Sequence, residues 1–236
     1  LPQIVKPYIS YGINEDAELR AANICEGFGE ISYDCYFKGE LLGKVEMKLF
    51  GIHNIVNSLS AVGIGLELGI PFNTICEGLF DFKGVERRME RVFKNKNINI
   101  FDDYAHHPTE VKATIRALKK GKPEKSRLII VFQPHRFTRT RDLYEDFGTS
   151  FHGADKIYLT DIYPAGEPEI PGITAGLIYD ALKANEFDKI TSYIKDIDEL
   201  ENAIYSDLKE SDIIVTMGAG NIYKVGRRIR DRLYNG

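Results

Sequence analysis

The chain has 236 residues and a formal net charge of −4, with 43% hydrophobic and 28% charged residues. This length predicts one or two domains, and the composition is typical of a globular protein with a sizeable core. The mildly acidic balance gives no reason to expect nucleic acid or a membrane surface as a partner. We see no long apolar run, no secretory leader and no metal-ligand spacing among the three cysteines. We therefore expect a cytoplasmic protein that neither spans a membrane nor carries a zinc site.

The first part of the chain, to about residue 92, shows a strand pattern followed by a helix pattern. The elements predicted there are strands at 31–37 and 45–49, joined by a hairpin turn at 38–40, and helices at about 54–68 and 71–82. Gly69 ends the first of these helices and Pro71 opens the second. A charged stretch and the polar run over 94–97 follow, so a domain boundary is predicted near residue 92.

After this boundary, strand and helix patterns alternate regularly. Strands are predicted at 98–104, 127–133, 156–162, 189–194 and 212–217, and helices at about 108–119, 141–151, 174–184, 197–209 and 221–234. Five strand–helix units predict an α/β domain with a Rossmann-like, mostly parallel sheet and helices on both faces. Residues 128–132 are apolar throughout, as expected for a strand that is covered on both faces.

Ionisable side chains are concentrated where the first strand of this series ends. The string is Asp102-Asp103-Tyr104-Ala105-His106-His107-Pro108-Thr109-Glu110. Pro108 fits a helix start, and open α/β sheets bind ligands at the carboxyl ends of their strands, so the string is a candidate site. The alternative is a turn whose acids cap the helix. Adjacent histidines point in different directions and no third ligand has metal spacing, so we assign no metal.

A second string follows the apolar strand at 128–132 and should lie at the same edge of the sheet. It is Gln133-Pro134-His135-Arg136-Phe137-Thr138-Arg139-Thr140-Arg141. Guanidinium groups bind carboxylates and phosphates in bidentate fashion, so this loop predicts an anion site. The alternative is a loop of solvated charges ahead of a helix. Residues 218–221, Gly-Ala-Gly-Asn, either cradle a phosphate with their N–H groups or form a tight turn.

Two asparagines occur near the start of the first predicted helix. Asn54 and Asn57 are three residues apart and share a helical face. A carboxamide pairs well with the donor and acceptor edge of adenine. Without further context, an N-cap for Asn54 and a core polar residue for Asn57 is the simpler interpretation.

Four strings occur in the order seen in Mur ligases, and the chain resembles that family over essentially its whole length. They are Gly51-x-His53-Asn54-x-x-Asn57, Gly84-Val85-x-Arg87-Arg88, and the strings at 102–110 and 132–139. The last two are the specific ones, and they are most similar to the member that joins L-alanine to UDP-N-acetylmuramate. A member that recycles murein peptides shares an Asp-x-x-His-His-Pro motif and is the nearest alternative.

The resemblance implies an ATP-dependent ligase of peptidoglycan precursor synthesis that forms an acyl phosphate on UDP-N-acetylmuramate, which the amine of L-alanine then attacks. It implies that residues 1–92 are the back of an ATP-binding central domain and that 93–236 are the C-terminal Rossmann-like domain. The family's phosphate loop and its Mg²⁺ ligands are then expected in a part that this chain lacks, and the chain alone is expected to be inactive. An alternative from another class is a non-catalytic Rossmann-like module that binds an anion.

The resemblance also implies roles for individual residues. Those implied for ATP are His53, Asn54, Asn57, Arg88 and Asp103. Those implied for the amino-acid substrate are Tyr104, His107, His135, Arg136 and Arg139. The candidate catalytic residues among them are Arg88, Asp103, His107, His135, Arg136 and Arg139.

Overall fold

The computed structural model describes residues 6–95 and 97–235. The chain divides into two compact units, Leu1–Gly84 and Val85–Gly236, called here the first and the second unit. The division lies before the boundary expected near residue 92, because a strand at Glu90–Lys94 pairs within the sheet of the second unit. In the part of the chain that the structure describes, no helix is both long and apolar enough to cross a membrane.

The first unit is a four-stranded sheet with two packed helices. Its elements are β1 (Tyr11–Gly12), β2 (Leu19–Gly27), β3 (Glu30–Phe37), β4 (Glu40–Met47), α1 (Ile52–Glu67) and α2 (Phe72–Asp81). The strands lie in that order, β1 parallel to β2 and the others antiparallel. The predicted hairpin is confirmed, and both turn residues, Lys38 and Gly39, have positive φ, as the tightest hairpin turns require.

The core of the first unit lies between one face of the sheet and a stripe of α1. Alternate residues of β3, Ile31, Tyr33 and Cys35, are buried, as are Ile55 and Leu59 of the helix. The hydroxyl of Tyr33 lies 2.8 Å from Oγ of Ser58, so the one phenol in this core has a polar partner.

The second unit is a six-stranded sheet with the spatial order β5-β6-β10-β7-β8-β9. Its strands are β5 (Glu90–Lys94), β6 (Ile98–Asp103), β7 (Leu128–Phe132), β8 (Lys156–Leu159), β9 (Thr191–Tyr193) and β10 (Asp212–Met217). Its helices are α3 (Pro108–Lys119), α4 (Phe137–Gly148), α5 (Gly176–Ala184), α6 (Ile197–Asp207) and α7 (Tyr223–Asn235). All neighbouring strands are parallel except β5, which is antiparallel to β6. The predicted α/β fold with a mostly parallel sheet is confirmed.

Helices cover both faces of this sheet. On one face, Ile129 and Val131 of β7 join a cluster with α6 and α7. On the other, the ring of Phe132 packs against Phe147 and Phe151, at centroid distances of 5.2 and 5.4 Å. The apolar strand is therefore buried on both sides, as its composition predicts.

In the first unit, β1 and β2 lie outside the predicted strands, and β4 begins at Glu40 rather than at residue 45.

Three elements of the second unit also differ from the prediction. The edge strand β5 was not predicted, because its sequence is mostly charged and only Phe93 of its five residues is buried. Strand β9 is shorter than expected, since residues Asp188–Ile190 form a 3-10 turn before it. Helix α4 begins at Phe137 rather than near residue 141, so Arg139 lies in the helix and not in a loop.

A buried ion pair joins the start of β7 to the start of β10. Nε and Nη2 of Arg127 donate to the two carboxylate oxygens of Asp212 at 2.9 and 2.7 Å, and Nη1 lies 3.3 Å from Asp207. Asp212 is fully buried. This bidentate geometry fixes the two strands side by side at the edge opposite to the candidate site.

We expect Arg127→Ala to lower the free energy of unfolding by about 3–5 kcal/mol, because it leaves the buried Asp212 carboxylate without its cation. The matched control is Arg141→Ala, whose partner Asp142 is exposed, and its cost should be far smaller. Urea denaturation of both variants measures the difference. Equal losses would show that the burial of Asp212 does not set the cost.

Candidate functional site

The two predicted strings lie at the same edge of the second unit's sheet. Met217, the last residue of β10, is in register with Asp103 of β6 on one side and Phe132 of β7 on the other. The three strands therefore end together, and the segments that follow β6 and β7 meet. The rings of His106 and His135 are 5.6 Å apart between centroids.

A buried carboxylate, Asp102, anchors this edge. Its two oxygens accept hydrogen bonds from Thr216 of β10 at 2.6 Å and from Nε of Arg87 at 3.1 Å. Arg87 also donates to the carbonyl of Gly218 at 2.5 Å, and its own carbonyl accepts the N–H of Tyr104 at 2.6 Å. Burial raises the pKa of Asp102, while Thr216 and the Arg87 guanidinium oppose that shift. Sequence reasoning did not single out Arg87.

The neighbouring Asp103 is also buried, at 5% exposure. The hydroxyl of Thr114 in α3 donates to its Oδ2. Burial raises the pKa of Asp103, and the Thr114 bond, the N–H of Ala105 and the charge of Arg88 act in the opposite direction. Arg88 is exposed and its guanidinium carbon lies 5.4 Å from the centre of the Tyr104 ring. Arg88 and Asp103, both implied for ATP, are therefore brought together.

The two adjacent histidines are used differently. His107 is exposed and caps α3: its Nδ1 accepts the N–H of Thr109 at 3.3 Å. Glu110 completes a capping box, because its carboxylate accepts the N–H groups of both histidines at 2.9 and 3.1 Å. His106 instead packs against the rings of Tyr104 and His135. The structure thus places His106, and not the predicted His107, beside the second string.

The second string brings a neutral imidazole against a guanidinium. Nη1 of Arg139 lies 3.1 Å from both Nδ1 and the carbonyl oxygen of His135. Burial lowers the pKa of His135 to about 4, and the charges of Arg139, His106 and Arg136 add to the effect. His135 is therefore uncharged at neutral pH, and its ring stacks on Tyr163 at a centroid distance of 5.8 Å.

A carboxylate that is distant in sequence explains why α4 begins at Phe137 and not near residue 141. Glu167 accepts the N–H of Thr138 at 3.1 Å and its hydroxyl at 2.7 Å, so it caps the helix from another loop. Burial would raise the pKa of Glu167, but the bonds from Thr138 are the larger influence and lower it. Arg136, at the N-cap with φ of 74°, donates its N–H to the carbonyl of Tyr163. Arg136, which is exposed, and Arg139 therefore both lie at the N-terminal end of α4.

The segment after β10 forms a tight turn around Gln133. The amide of Gln133 donates to Asn221 at 3.0 Å and accepts the N–H of Ile222 at 3.2 Å. A Cβ on Gly220 would lie 2.5 Å from Cγ of Tyr163, so only glycine fits there. These contacts support a tight turn rather than a phosphate cradle. The side chain of Gln133 already accepts the N–H of Ile222, which a bound phosphate would otherwise need.

In the first unit, the helix α1 carries the three residues implied for the nucleotide. Its N-cap is Gly51, so Asn54 as an N-cap is wrong; the Asn54 amide lies within the helix and donates to the carbonyl of Phe50 at 2.9 Å. His53 and Asn57 are both exposed and lie one turn apart. The core-polar interpretation of Asn57 is therefore also wrong, and its amide is available to a ligand.

Over residues 6–95 and 97–235, no group of three or more His, Cys, Asp or Glu side chains is arranged to hold a metal ion. Glutamate and aspartate oxygens of the second unit are instead engaged by Thr, Arg and backbone donors. The described part of the chain therefore shows no arrangement of side chains that fits Mg²⁺.

Residues 87–220 match the family model described as Mur ligase, glutamate ligase domain, and the chain belongs to the Mur ligase family. A curated relative, UDP-N-acetylmuramate–L-alanine ligase from Desulfotalea psychrophila, is 43% identical over 229 residues, covering 97% of this chain and 50% of that protein. The chain spans about half the length of the curated relatives it matches.

Solved structures agree with this assignment. The UDP-N-acetylmuramate–alanine ligase of Thermotoga maritima superposes with a TM-score of 0.78 at 25% identity, over 96% of this chain and 48% of that one. A murein peptide ligase from Psychrobacter arcticus shares the fold, with a TM-score of 0.59 at 24% identity over 96% of this chain and 46% of that one.

We expect the imidazole of His135 to titrate near pH 4 in an NMR pH titration, well below the ordinary value of 6.5. Arg139→Gln should raise this pKa, because it removes a neighbouring positive charge and the donor to Nδ1. The control Arg141→Gln, two residues along and paired with Asp142, should leave it unchanged. A His135 titration near 6.5 in the unaltered protein would contradict the geometry.

The same shift has a consequence for stability. Between about pH 6.5 and pH 4, His135 is protonated in the unfolded chain but neutral in the folded protein. The unfolded state therefore binds more protons, and the contribution of this group to the free energy of unfolding falls as the pH falls.

Proposed function

We propose that this chain is the C-terminal part of an ATP-dependent ligase that joins L-alanine to UDP-N-acetylmuramate in the cytoplasm, for peptidoglycan synthesis. The names of the curated relatives support this reaction. The observation that carries it in the structure is a set of guanidinium groups, Arg88, Arg136 and Arg139, at one sheet edge. Within the described residues none of the three has a carboxylate at ion-pair distance, and each is therefore available to an anionic ligand.

The reaction explains why such charges are needed. A carboxylate has too poor a leaving group to form an amide directly, and ATP supplies the phosphoryl group that makes it reactive. Negative charge is present on both substrates and on the departing phosphate, so fixed positive groups stabilise the transition state.

At the amino-acid end, we assign Arg136 and Arg139 to the carboxylate of L-alanine. A guanidinium holds a carboxylate through two parallel hydrogen bonds, which leaves the amine free to attack. His135, held neutral, adds no charge that would repel the amine. The rings of His106, His135 and Tyr163 form a continuous wall beside these arginines, which offers contact area for a small apolar side chain.

At the nucleotide end, we assign Arg88 to the phosphates and Asp103 to the orientation of the nucleotide. His53 and Asn57 of the first unit are assigned to the adenine, with Asn54 as the residue that holds the start of α1. No cluster of the described residues fits Mg²⁺, so its ligands and the phosphate loop are assigned to the part of the relatives that this chain does not match.

We expect Arg139→Lys to raise the KM for L-alanine about 10- to 100-fold in a full-length protein that carries this chain as its C-terminal half. Losing bidentate contact to a carboxylate costs roughly 1.5–3 kcal/mol. The KM for ATP should stay unchanged, and Arg141→Lys is the matched control. Phosphate release with UDP-N-acetylmuramate, L-alanine and Mg-ATP measures the effect, with the chain alone as the blank.

Two outcomes of this assay would contradict the proposal. Phosphate release that depends on a murein tripeptide and not on L-alanine would identify a peptide-recycling ligase. An unaltered KM for L-alanine in Arg139→Lys would remove the amino-acid site from this sheet edge.

We expect Asn57→Ala to raise the KM for ATP in the same assay, by about 5- to 30-fold, because one hydrogen-bonded partner is lost and the group left behind is unpaired. Asn57 is exposed, so folding should be unaffected. Asn73→Ala, an exposed asparagine of α2, is the control for changing an amide on a helix surface. If Asn57→Ala and Asn73→Ala gave the same KM for ATP, the assignment of Asn57 to the adenine would be wrong.

A further inference from the structure

A basic cavity lies on the second unit away from the candidate site. It has a volume of about 490 Å³ and is lined by Lys112, Arg116, Lys119, Thr149, Ser150 and His152. The first three residues lie on one face of α3, and the others follow the end of α4. The candidate site is at the start of both helices, so the cavity is near their far ends.

Among the residues that the structure describes, the cations of this cavity have no acidic partner at ion-pair distance. Other arginines of the second unit, such as Arg127, Arg228 and Arg232, are each within ion-pair distance of a carboxylate. Over the described residues Lys112, Arg116 and Lys119 have no such carboxylate, a property they share with the arginines of the candidate site. In a chain with a net charge of −4, the cavity is thus a second concentration of positive charge, apart from the one at the candidate site.

The side chains are also held in place. The stem of Lys119 lies over Gly153, where an added Cβ would be 2.7 Å from its Cδ. Nζ of Lys112 donates to the hydroxyl of Thr149 at 3.3 Å. The ring of His152 packs edge-on against Phe187, at a centroid distance of 5.0 Å. These contacts orient Lys112, Lys119 and His152 at the rim of the cavity, which lowers the entropic cost of binding.

A favourable interaction with the end of α3 explains only part of the cluster. Arg116 and Lys119 are in the last turn, where cations favour the helix dipole, but Lys112 is in the middle of the helix. The carbonyl of Asp146, near the end of α4, already accepts bonds from the hydroxyls of Thr149 and Ser150. It is therefore not a free acceptor for these cations.

We propose that this cavity binds a small molecule that carries two linked phosphoryl groups. Lys112 and Lys119 are seven residues apart, about 10 Å along a helix, which is more than one phosphate spans. Two linked phosphoryl groups would reach both lysines and Arg116. The chain's net charge of −4 provides no general attraction for a nucleic acid.

Inorganic pyrophosphate is the probe, and the Cε1–H NMR signal of His152 is the readout. The chain has five histidines, and His152→Gln assigns the signal. We expect a saturable shift of His152 on titration with pyrophosphate. His135 reports any binding at the candidate site separately, so failure of one site is distinguished from failure of the other.

Charge reversals test the assignment. Arg116→Glu and Lys119→Glu should each raise the Kd for pyrophosphate about 10-fold or more, since each removes a charged hydrogen-bond donor. Lys125→Glu, an exposed lysine in the loop after α3, makes the same charge change as Lys119→Glu and should have little effect. Inorganic phosphate should saturate only at higher concentration than pyrophosphate.

Three results would overturn the proposal. The first is a His152 signal that does not move, or that moves without saturating. The second is an equal loss of pyrophosphate affinity in Lys119→Glu, Arg116→Glu and Lys125→Glu, which would indicate general charge attraction. The third is equal affinity for phosphate and pyrophosphate, which would contradict the second phosphoryl group.

Discussion

The buried carboxylate of Asp102 is the constraint on which the candidate site depends. It sits at the end of β6, is bonded across the sheet by Thr216, and is neutralised by Arg87. Arg87 in turn reaches the loop after β10 and lies against the rings of Tyr104 and Tyr223. One charge pair thus fixes three segments that are far apart in sequence. A buried carboxylate without this cation would be costly, so the segments are held together by the need to keep it paired.

Much of this architecture could be predicted from the sequence, for a physical reason. Strands buried on both faces are apolar throughout, as 128–132 are, and their helices show apolar stripes, so alternation along the chain predicts the parallel sheet. Parallel strands end at one edge, which places the strings at 102–110 and 133–139 side by side. The resemblance of these strings to Mur ligases then suggested the chemistry.

The remainder depends on contacts that no local pattern encodes. Glu167 caps α4 across a gap of about thirty residues, so the early start of that helix could not be predicted from its own sequence. Tyr163 reaches the site only through the fold. For the adjacent histidines a signal was present: Glu110 lies three residues after His107, the spacing of a capping box, which indicates that His107 caps the helix. The ring of His106 is the one that lies against His135. Strand β5 has almost no apolar pattern because it is an antiparallel edge.

The position of β10 has a consequence for how the protein folds during synthesis. This strand follows the other five of its sheet in sequence, yet it lies between β6 and β7 in the middle of the sheet. A nascent chain can form the first unit early, but β6 and β7 lack their common neighbour until nearly all of the second unit has left the ribosome. Unpaired strand edges attract other chains, and pairings between distant segments form slowly. Slow translation or premature termination would therefore leave the sheet of the second unit incomplete and prone to pairing with other chains.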